Sequence, residues 1–218
     1  MGRFAPDARR LLTILLAGAL AGCPADDPTG PGDDSPPRYT TPAAVVAAHA
    51  GALNERDLAD YIALLEPYAA GRADAGFRWY PQGTDLVDFP WLDLNTWWDI
   101  EAEIDIITNM FNPAFVSPET GQAVQSITAD LDIYDIEVVS DEETRAHCYA
   151  NVTVLWLGNW GTRADVRLEF LLARRDDGTL IIRSITEHPL LGGRGVTNSV
   201  ESSTLSSIKN LYRSPVTP

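Results

Sequence analysis

Lysine is almost missing from this chain: 15 of its 16 basic residues are Arg, and the exception is Lys209. A phosphate-cradling loop built on lysine and a Schiff-base lysine are therefore not expected in the main body. Cysteine is nearly as scarce, with only Cys23 and Cys148, too few for a thiolate metal cluster or a disulfide framework. Long apolar runs are lacking too. The longest, Leu11 to Gly22, supplies 12 residues, where a membrane-spanning helix needs about 20. Basic charge is outweighed, with 31 acidic residues against 16 and a net charge of −15. Such a field repels phosphate backbones, so nucleic acid is not an expected partner. What remains is 218 residues, 45% hydrophobic and 22% charged, enough for one packed domain and too little for two large ones.

The N-terminus reads as an address. Arg3, Arg9 and Arg10 precede the apolar run Leu11 to Leu20, giving the charged and apolar regions of an export signal. The run ends in Leu20-Ala21-Gly22-Cys23, which resembles the lipobox of bacterial lipoproteins at all four positions. That resemblance implies cleavage after Gly22, a lipid-anchored Cys23 and a body held outside the bilayer at a bacterial cell envelope. Two or three acyl chains make such an anchor stable, whereas one binds only marginally. Pro24 follows Cys23, so the Asp that retains such proteins at the inner membrane is absent, and the outer membrane is the expected destination. Loss of residues 1–22, with three Arg and one Asp, moves the net charge from −15 to −17. Residues 24–42 hold six Pro and the pairs Asp26-Asp27 and Asp33-Asp34, the composition of a stiff, extended tether reaching roughly 50 Å. Lipidation of Cys23 leaves Cys148 without an intrachain partner. Its place among Ala146, Ala150 and Val152 predicts a small buried hydrophobe rather than a reactive thiol.

The body begins with a helix. Thr41-Pro42 is an N-cap followed by Pro at the first helical position, and Val45, Val46, His49, Ala52 and Leu53 share one face. Asp57 caps a second helix with Leu58, Tyr61, Ile62 and Leu65 in register. A short strand is expected at Phe77 to Tyr80, then a long helix from Asn95 to Phe111 with Ile100, Ile104, Ile107 and Phe111 on its buried stripe. After Gly121 the period becomes two. Ile127, Ala129, Leu131 and Ile133 alternate with polar residues, and further alternating runs cover Arg145 to Leu157, Thr162 to Leu172 and Thr179 to Thr186. Ala164, Val166, Leu168, Phe170 and Leu172 face one way and Arg163, Asp165, Arg167 and Glu169 the other, which predicts an antiparallel sheet with one buried face.

The segment Ala52-Leu53-Asn54-Glu55-Arg56-Asp57-Leu58, with Tyr61, Leu64 and Leu65 beyond it, resembles the opening hairpin of nuclear-transport-factor-2-like (SnoaL-like) proteins, and the order of elements is similar over residues 41–188. The resemblance implies an α+β, cystatin-like cone: a curved antiparallel sheet packed against three helices around a cavity. Members include isomerases, dehydratases and cyclases as well as non-catalytic binding or dimerization modules. The expected organisation is a signal segment at 1–22, lipidated Cys23 and tether at 23–41, the cone at 42–189 and a C-terminal tail at 190–218 containing a short helix. Residues Glu201 to Arg213 are similar to the closing segment of some bacterial lipoproteins that carry this domain.

Named catalytic motifs are absent, and no cofactor is expected. Asp130, Asp132 and Asp135 lack the turn glycine of a calcium loop and read as a solvated strand face. Polar groups on apolar faces are the candidates for chemistry in a cone. His49 lies within the first helix's apolar stripe, either as a proton acceptor or as a hydrogen-bonded core residue. Glu103 flanks the stripe of the third helix, either as a general acid or base or as the partner of an Arg, while Glu101 and Asp105 are placed outside. Tyr61 can point its hydroxyl into a cavity. Trp79, Trp97, Trp156 and Phe170 are candidate ligand contacts or simply core. His147 and Tyr149 are expected on the outer sheet face, where a homodimer can form, and His188 in a surface loop. Three readings follow: a lipid-anchored domain binding a small apolar or amphipathic ligand or a protein partner without catalysis, a cofactor-free isomerase, dehydratase or cyclase, and a structural module plugged by its own side chains.

Overall fold

A computed structural model describes residues 39–67, 76–82, 89–92, 96–156, 160–190 and 200–214. The export segment, Cys23 and most of the tether lie outside the described residues. All that follows concerns the unit Pro36–Pro218.

Helix α1 (Pro42–Glu55) starts where the Thr41 side chain accepts a hydrogen bond from the Ala44 N–H, and its buried face is Val45, Val46, His49, Ala52 and Leu53, as expected. It stops at Arg56, whose φ of 55° is left-handed. The turn is held from outside. Asn54 donates its amide to the Ala129 carbonyl at 3.0 Å and accepts the Ala129 N–H at 2.6 Å, so a side chain satisfies backbone groups that an edge strand would leave open. Asp57 caps α2 (Leu58–Ala63) through the Asp60 N–H.

With the short strands β1 (Arg78–Tyr80) and β2 (Trp98–Asp99), the sheet runs in the order β2-β1-β6-β5-β4-β3 and is curved and unclosed. Its long antiparallel core is β3 (Val124–Val138), β4 (Glu143–Trp156), β5 (Gly161–Arg174) and β6 (Leu180–Pro189). Register shifts at Ile133/Asp135 and Leu171/Leu172 interrupt the ladders, and such bulges bend and twist a sheet. On the inner face small residues of β4 oppose larger ones of β5, with Ala146 against Phe170, Cys148 against Leu168 and Ala150 against Val166. This pairing of small with larger residues lets the inner side chains interdigitate. Cys148 is fully buried there, in the place alternation predicted, and burial pushes its thiol up to about 12, with Asp132 adding to the effect. Residues Arg163, Asp165, Arg167 and Glu169 lie on the outer face as expected.

Three expectations are corrected. The third helix does not begin at Asn95: α3 spans Ile100–Phe111 because Asp99 caps it, accepting the Ala102 N–H. Trp98–Asp99 instead form strand β2, paired with β1 (Arg78–Tyr80) through Trp79 opposite Trp98. The buried stripe of α3 is also rotated. Glu103, Ile106, Ile107, Met110 and Phe111 are buried, Ile100 and Ile104 only partly. His188 lies in β6 opposite Arg167 rather than in a loop. The C-terminal segment adds one strand and one short helix. Strand β7 (Val200–Ser203) pairs in parallel with Gly161–Ala164 of β5, the stretch that β6 leaves free when it ends at Pro189. Helix α4 (Leu205–Asn210) then buries Leu205, Ser206, Ile208 and Lys209. Of the described residues 200–214, Leu205, Ile208 and Tyr212 belong to the main hydrophobic core.

Candidate functional site

Glu103 lies at the centre of the buried face of α3 and is wholly shielded from solvent. Its Oε1 accepts the Tyr61 hydroxyl from α2 at 2.5 Å and also bonds the Lys209 ammonium from α4. Its Oε2 accepts the Trp98 indole N–H at 2.7 Å. Three elements far apart in the chain thus converge on one carboxylate. The expected partner was an Arg; the partner is Lys209, the residue set aside on sequence grounds as lying outside the main domain.

The ammonium has a further contact that explains its position. Lys209 Nζ is 3.3 Å above the centre of the Trp79 ring and 3.4 Å from the Tyr61 hydroxyl. An indole face attracts a cation, more strongly once water is gone, and the Lys209 side chain is only 2% exposed. Burial lowers the Lys209 pKa while Glu103 and Glu187 raise it. Tyr61 is pushed well above its ordinary value by burial, and by the charge and hydrogen bond of Glu103.

His49 sits beside this cluster rather than in it. Its ring packs at 4.9 Å on Tyr61 and edge-on at 5.4 Å to Phe170, and its Nδ1 is buried without a hydrogen-bond partner. Burial, aided by the nearby Lys209 charge, lowers its pKa to about 3. It is therefore a neutral imidazole across the physiological range, able to accept a proton only at strong cost.

Helix α4 is anchored at its start by Glu187, the next inward position after Ile185 on β6. The two carboxylate oxygens accept the Leu205 N–H at 2.8 Å and the Ser206 N–H at 2.9 Å, and the Ser206 hydroxyl bonds the same group. Trp79 donates its indole N–H to that hydroxyl at 3.0 Å. Farther on, Asn109 donates to the Tyr212 carbonyl at 2.8 Å, and Asp105, expected on the outer surface, accepts from the Ser214 N–H at 2.9 Å and the Ser214 hydroxyl at 2.7 Å. Trp156 donates to the Tyr212 hydroxyl.

The sequence-derived candidates separate accordingly. Tyr61, Glu103 and Trp79 meet in one cluster, and His49 and Phe170 line its flank. Trp156 is held by Tyr212, and Trp97 belongs elsewhere, with Arg78 stacked 4.6 Å from its ring. It lines a surface cleft of about 480 Å³ together with Trp91, Trp98, Asp99, Glu101 and Arg213. Sequence reasoning missed Lys209 and Glu187. Glu187 was within reach of the alternation that placed Ile185 inward, and Lys209 was marked by being the lone lysine, set between Ile208 and the Leu211-Tyr212 pair. On the outer face Tyr134 and Tyr149 are exposed, and Glu169 faces Arg145, His147 and His188. Among the described residues no group of His, Cys, Asp and Glu could hold a metal, and no helix is long and apolar enough to cross a membrane.

Fold and site define an α+β body, a curved and unclosed sheet with few helices, in which Lys209 of α4 is buried against Glu103 of α3. The sequence matches no protein-family profile and no curated protein. Solved structures with a similar chain trace include a nuclear-transport-factor-2-like superfamily protein from Salmonella enterica serovar Typhimurium, at 12% identity over 71% of this chain and 92% of that one, with a TM-score of 0.45. A ketosteroid isomerase-like protein from Erwinia carotovora atroseptica has 13% identity over 66% and 90%, with a TM-score of 0.44. A hexachlorocyclohexane dehydrochlorinase from Novosphingobium barchaimii has 12% identity over 70% and 90%, also with 0.44.

Proposed function

We propose that the protein is a lipid-anchored module of the bacterial cell envelope, attached through Cys23, whose cone is a closed structural body and not a reaction chamber. The observation that carries this reading is the Glu103–Lys209 pair, 0% and 2% exposed. A ligand entering the hollow would have to displace an ammonium already paired with a carboxylate and an indole face. Removing one partner of such a buried pair costs about 3–5 kcal/mol. The Tyr61 hydroxyl, Trp79 and Trp98 face the same pair, so the polar groups that could orient a substrate are already engaged within the chain. This favours the plugged-cone reading over ligand binding in the hollow. The enzyme reading has one observation in its favour, the convergence of Tyr61 and Glu103 beside a His49 nitrogen without a partner, and it requires α4 to leave its seat. The lipobox Leu20 to Cys23 and the Pro/Asp-rich tether support the anchor, and Pro24 supports the outer membrane.

The test is native mass spectrometry of the full chain extracted from bacterial membranes in detergent. The expected spectrum carries acyl mass on Cys23 and no retained small molecule, and Cys23→Ser moves the protein to the soluble fraction. A Cys23→Ser protein that stays membrane-bound would overturn the anchor. A co-purifying ligand that is lost with Tyr61→Phe or Glu103→Gln would overturn the closed cone.

A further inference from the structure

Strand β3 ends the sheet, and the two halves of its free edge differ. The first half is closed by side chains from the end of α1: Asn54 engages both the N–H and the carbonyl of Ala129, and Arg56 donates to the Val124 carbonyl at 3.4 Å. Ala129 also fixes the phase of the second half. It lies opposite Val152, while Leu131, Ile133, Ile136 and Val138 lie opposite Ala150, Cys148, Ala146 and Thr144, every second residue of β4. The bulge at Ile133/Asp135 supplies the extra residue that carries this phase on to Ile136 and Val138. Backbone groups alternate between the two edges of an antiparallel strand, so the N–H and C=O of these four residues turn away from β4, as those of Ala129 do. Among the described residues nothing bonds them on that side.

Three features select the occupant. Regularly spaced open N–H and C=O groups suit an extended polypeptide, which can add a strand to a sheet edge. Ile136 and Val138 belong to the same row of β3 as the buried Ile127 and Ala129, yet are 47% and 75% exposed, so an added strand would cover apolar surface there. The third feature is sign. Every charged side chain of β3 is acidic: Asp130, Asp132, Asp135 and Glu137, all exposed. Glu137 is engaged by Arg145 at 3.0 Å, whereas among the described residues the three aspartates have no ion-pair partner. A second copy of this chain suits the edge poorly. In antiparallel self-pairing the acids would face one another, and like charges directly opposite destabilise a strand pair.

We propose that the free edge of β3 from Leu131 to Val138 docks an extended polypeptide segment in which apolar residues alternate with basic ones. Its apolar side chains pack beside Ile136 and Val138, and its basic ones face Asp132 and Asp135. The site does not depend on whether the cone is closed.

The test titrates a fluorescein-labelled octapeptide of alternating Val and Lys with the full chain, extracted in non-ionic detergent, and follows anisotropy and backbone amide exchange. Saturable binding is expected, weakened by added salt because the acids are exposed, with exchange slowed at the amides of Leu131, Ile133, Ile136 and Val138. Ile136→Pro removes an outward N–H without touching the ladder to β4 and should weaken binding about tenfold. Asp132→Asn together with Asp135→Asn should weaken it about threefold and flatten its salt dependence. Those two positions are exposed, so an unchanged melting temperature separates lost binding from lost folding even if Ile136→Pro does not fold. Absence of saturable binding, equal binding of an octapeptide of alternating Val and Glu, or unaltered exchange at the four amides would overturn the assignment. A dimer that dissociates in Ile136→Pro would also overturn it, by giving the edge to a second copy.

Discussion

Lowering the pH from 7 to 5 should destabilise the protein through His49. The imidazole is buried with an unpartnered Nδ1, and its native pKa is about 3, against 6.5 when exposed. The unfolded chain therefore takes up a proton at His49 below pH 6.5 that the native protein refuses until about pH 3. Because the native pKa is the lowered one, stability is complete above about 6.5 and falls with pH between these limits. At pH 5 the unfolded imidazole lies one and a half units below its pKa, which favours unfolding by about 2 kcal/mol, against about 0.2 kcal/mol at pH 7. The comparison needed is His49→Leu, which cannot titrate and suits the aromatic surroundings of Tyr61 and Phe170. Carboxylates common to both proteins contribute equally and cancel in the difference. Urea unfolding at pH 7 and pH 5 should show wild type losing about 2 kcal/mol more than His49→Leu. Losses that agree within about 0.5 kcal/mol would mean that the native imidazole accepts protons freely, and the buried, unpartnered His49 would be wrong.

Two further outcomes follow from the interior. Lys209→Met or Glu103→Leu alone should each cost about 3–5 kcal/mol, because each strands a buried charge, whereas the double variant should recover much of the loss; urea unfolding reads all three, and additive losses would show that the two groups do not interact. Cys148, with its thiol pushed up to about 12 by burial, should resist iodoacetamide at pH 8 until denaturant is added, and rapid native alkylation would contradict its place between β3 and β5.

Much of the fold was legible because its signals are local. Thr41-Pro42 and Asp57 cap the helices they were expected to cap, and the alternation from Ile127 onward located four strands, since side-chain period and burial are the same fact in a one-sided sheet. Strand β2 was not legible: two residues carry no period, and Trp98 is a strand residue only because Trp79 lies opposite. The rotation of α3 has a similar origin. An apolar stripe drawn through Ile100 and Ile104 treats Glu103 as a polar flank, whereas the helix turns Glu103 inward because Tyr61, Trp98 and Lys209 are there to satisfy it. Hydropathy scores a carboxylate without its partners, so a fully bonded buried acid is the residue that a periodic reading misplaces.

The lone lysine shows why the site was harder to read than the fold. In a chain that otherwise uses Arg for every basic position, Lys209 occupies a seat that an arginine does not fit. An ammonium offers three donors on a thin stem. Two find Glu103 and the Tyr61 hydroxyl, while the cation faces the Trp79 ring. A guanidinium would bring five donors in a flat fork into the same volume, leaving several unpaired at about 1–3 kcal/mol each. The choice of lysine is thus dictated by residues 106 and 148 positions away, which meet it only in the folded chain. Composition recorded that choice as an absence, one lysine where fifteen arginines would lead a reader to expect none. The fold buries that exception, its ammonium paired with Glu103 and facing the Trp79 ring.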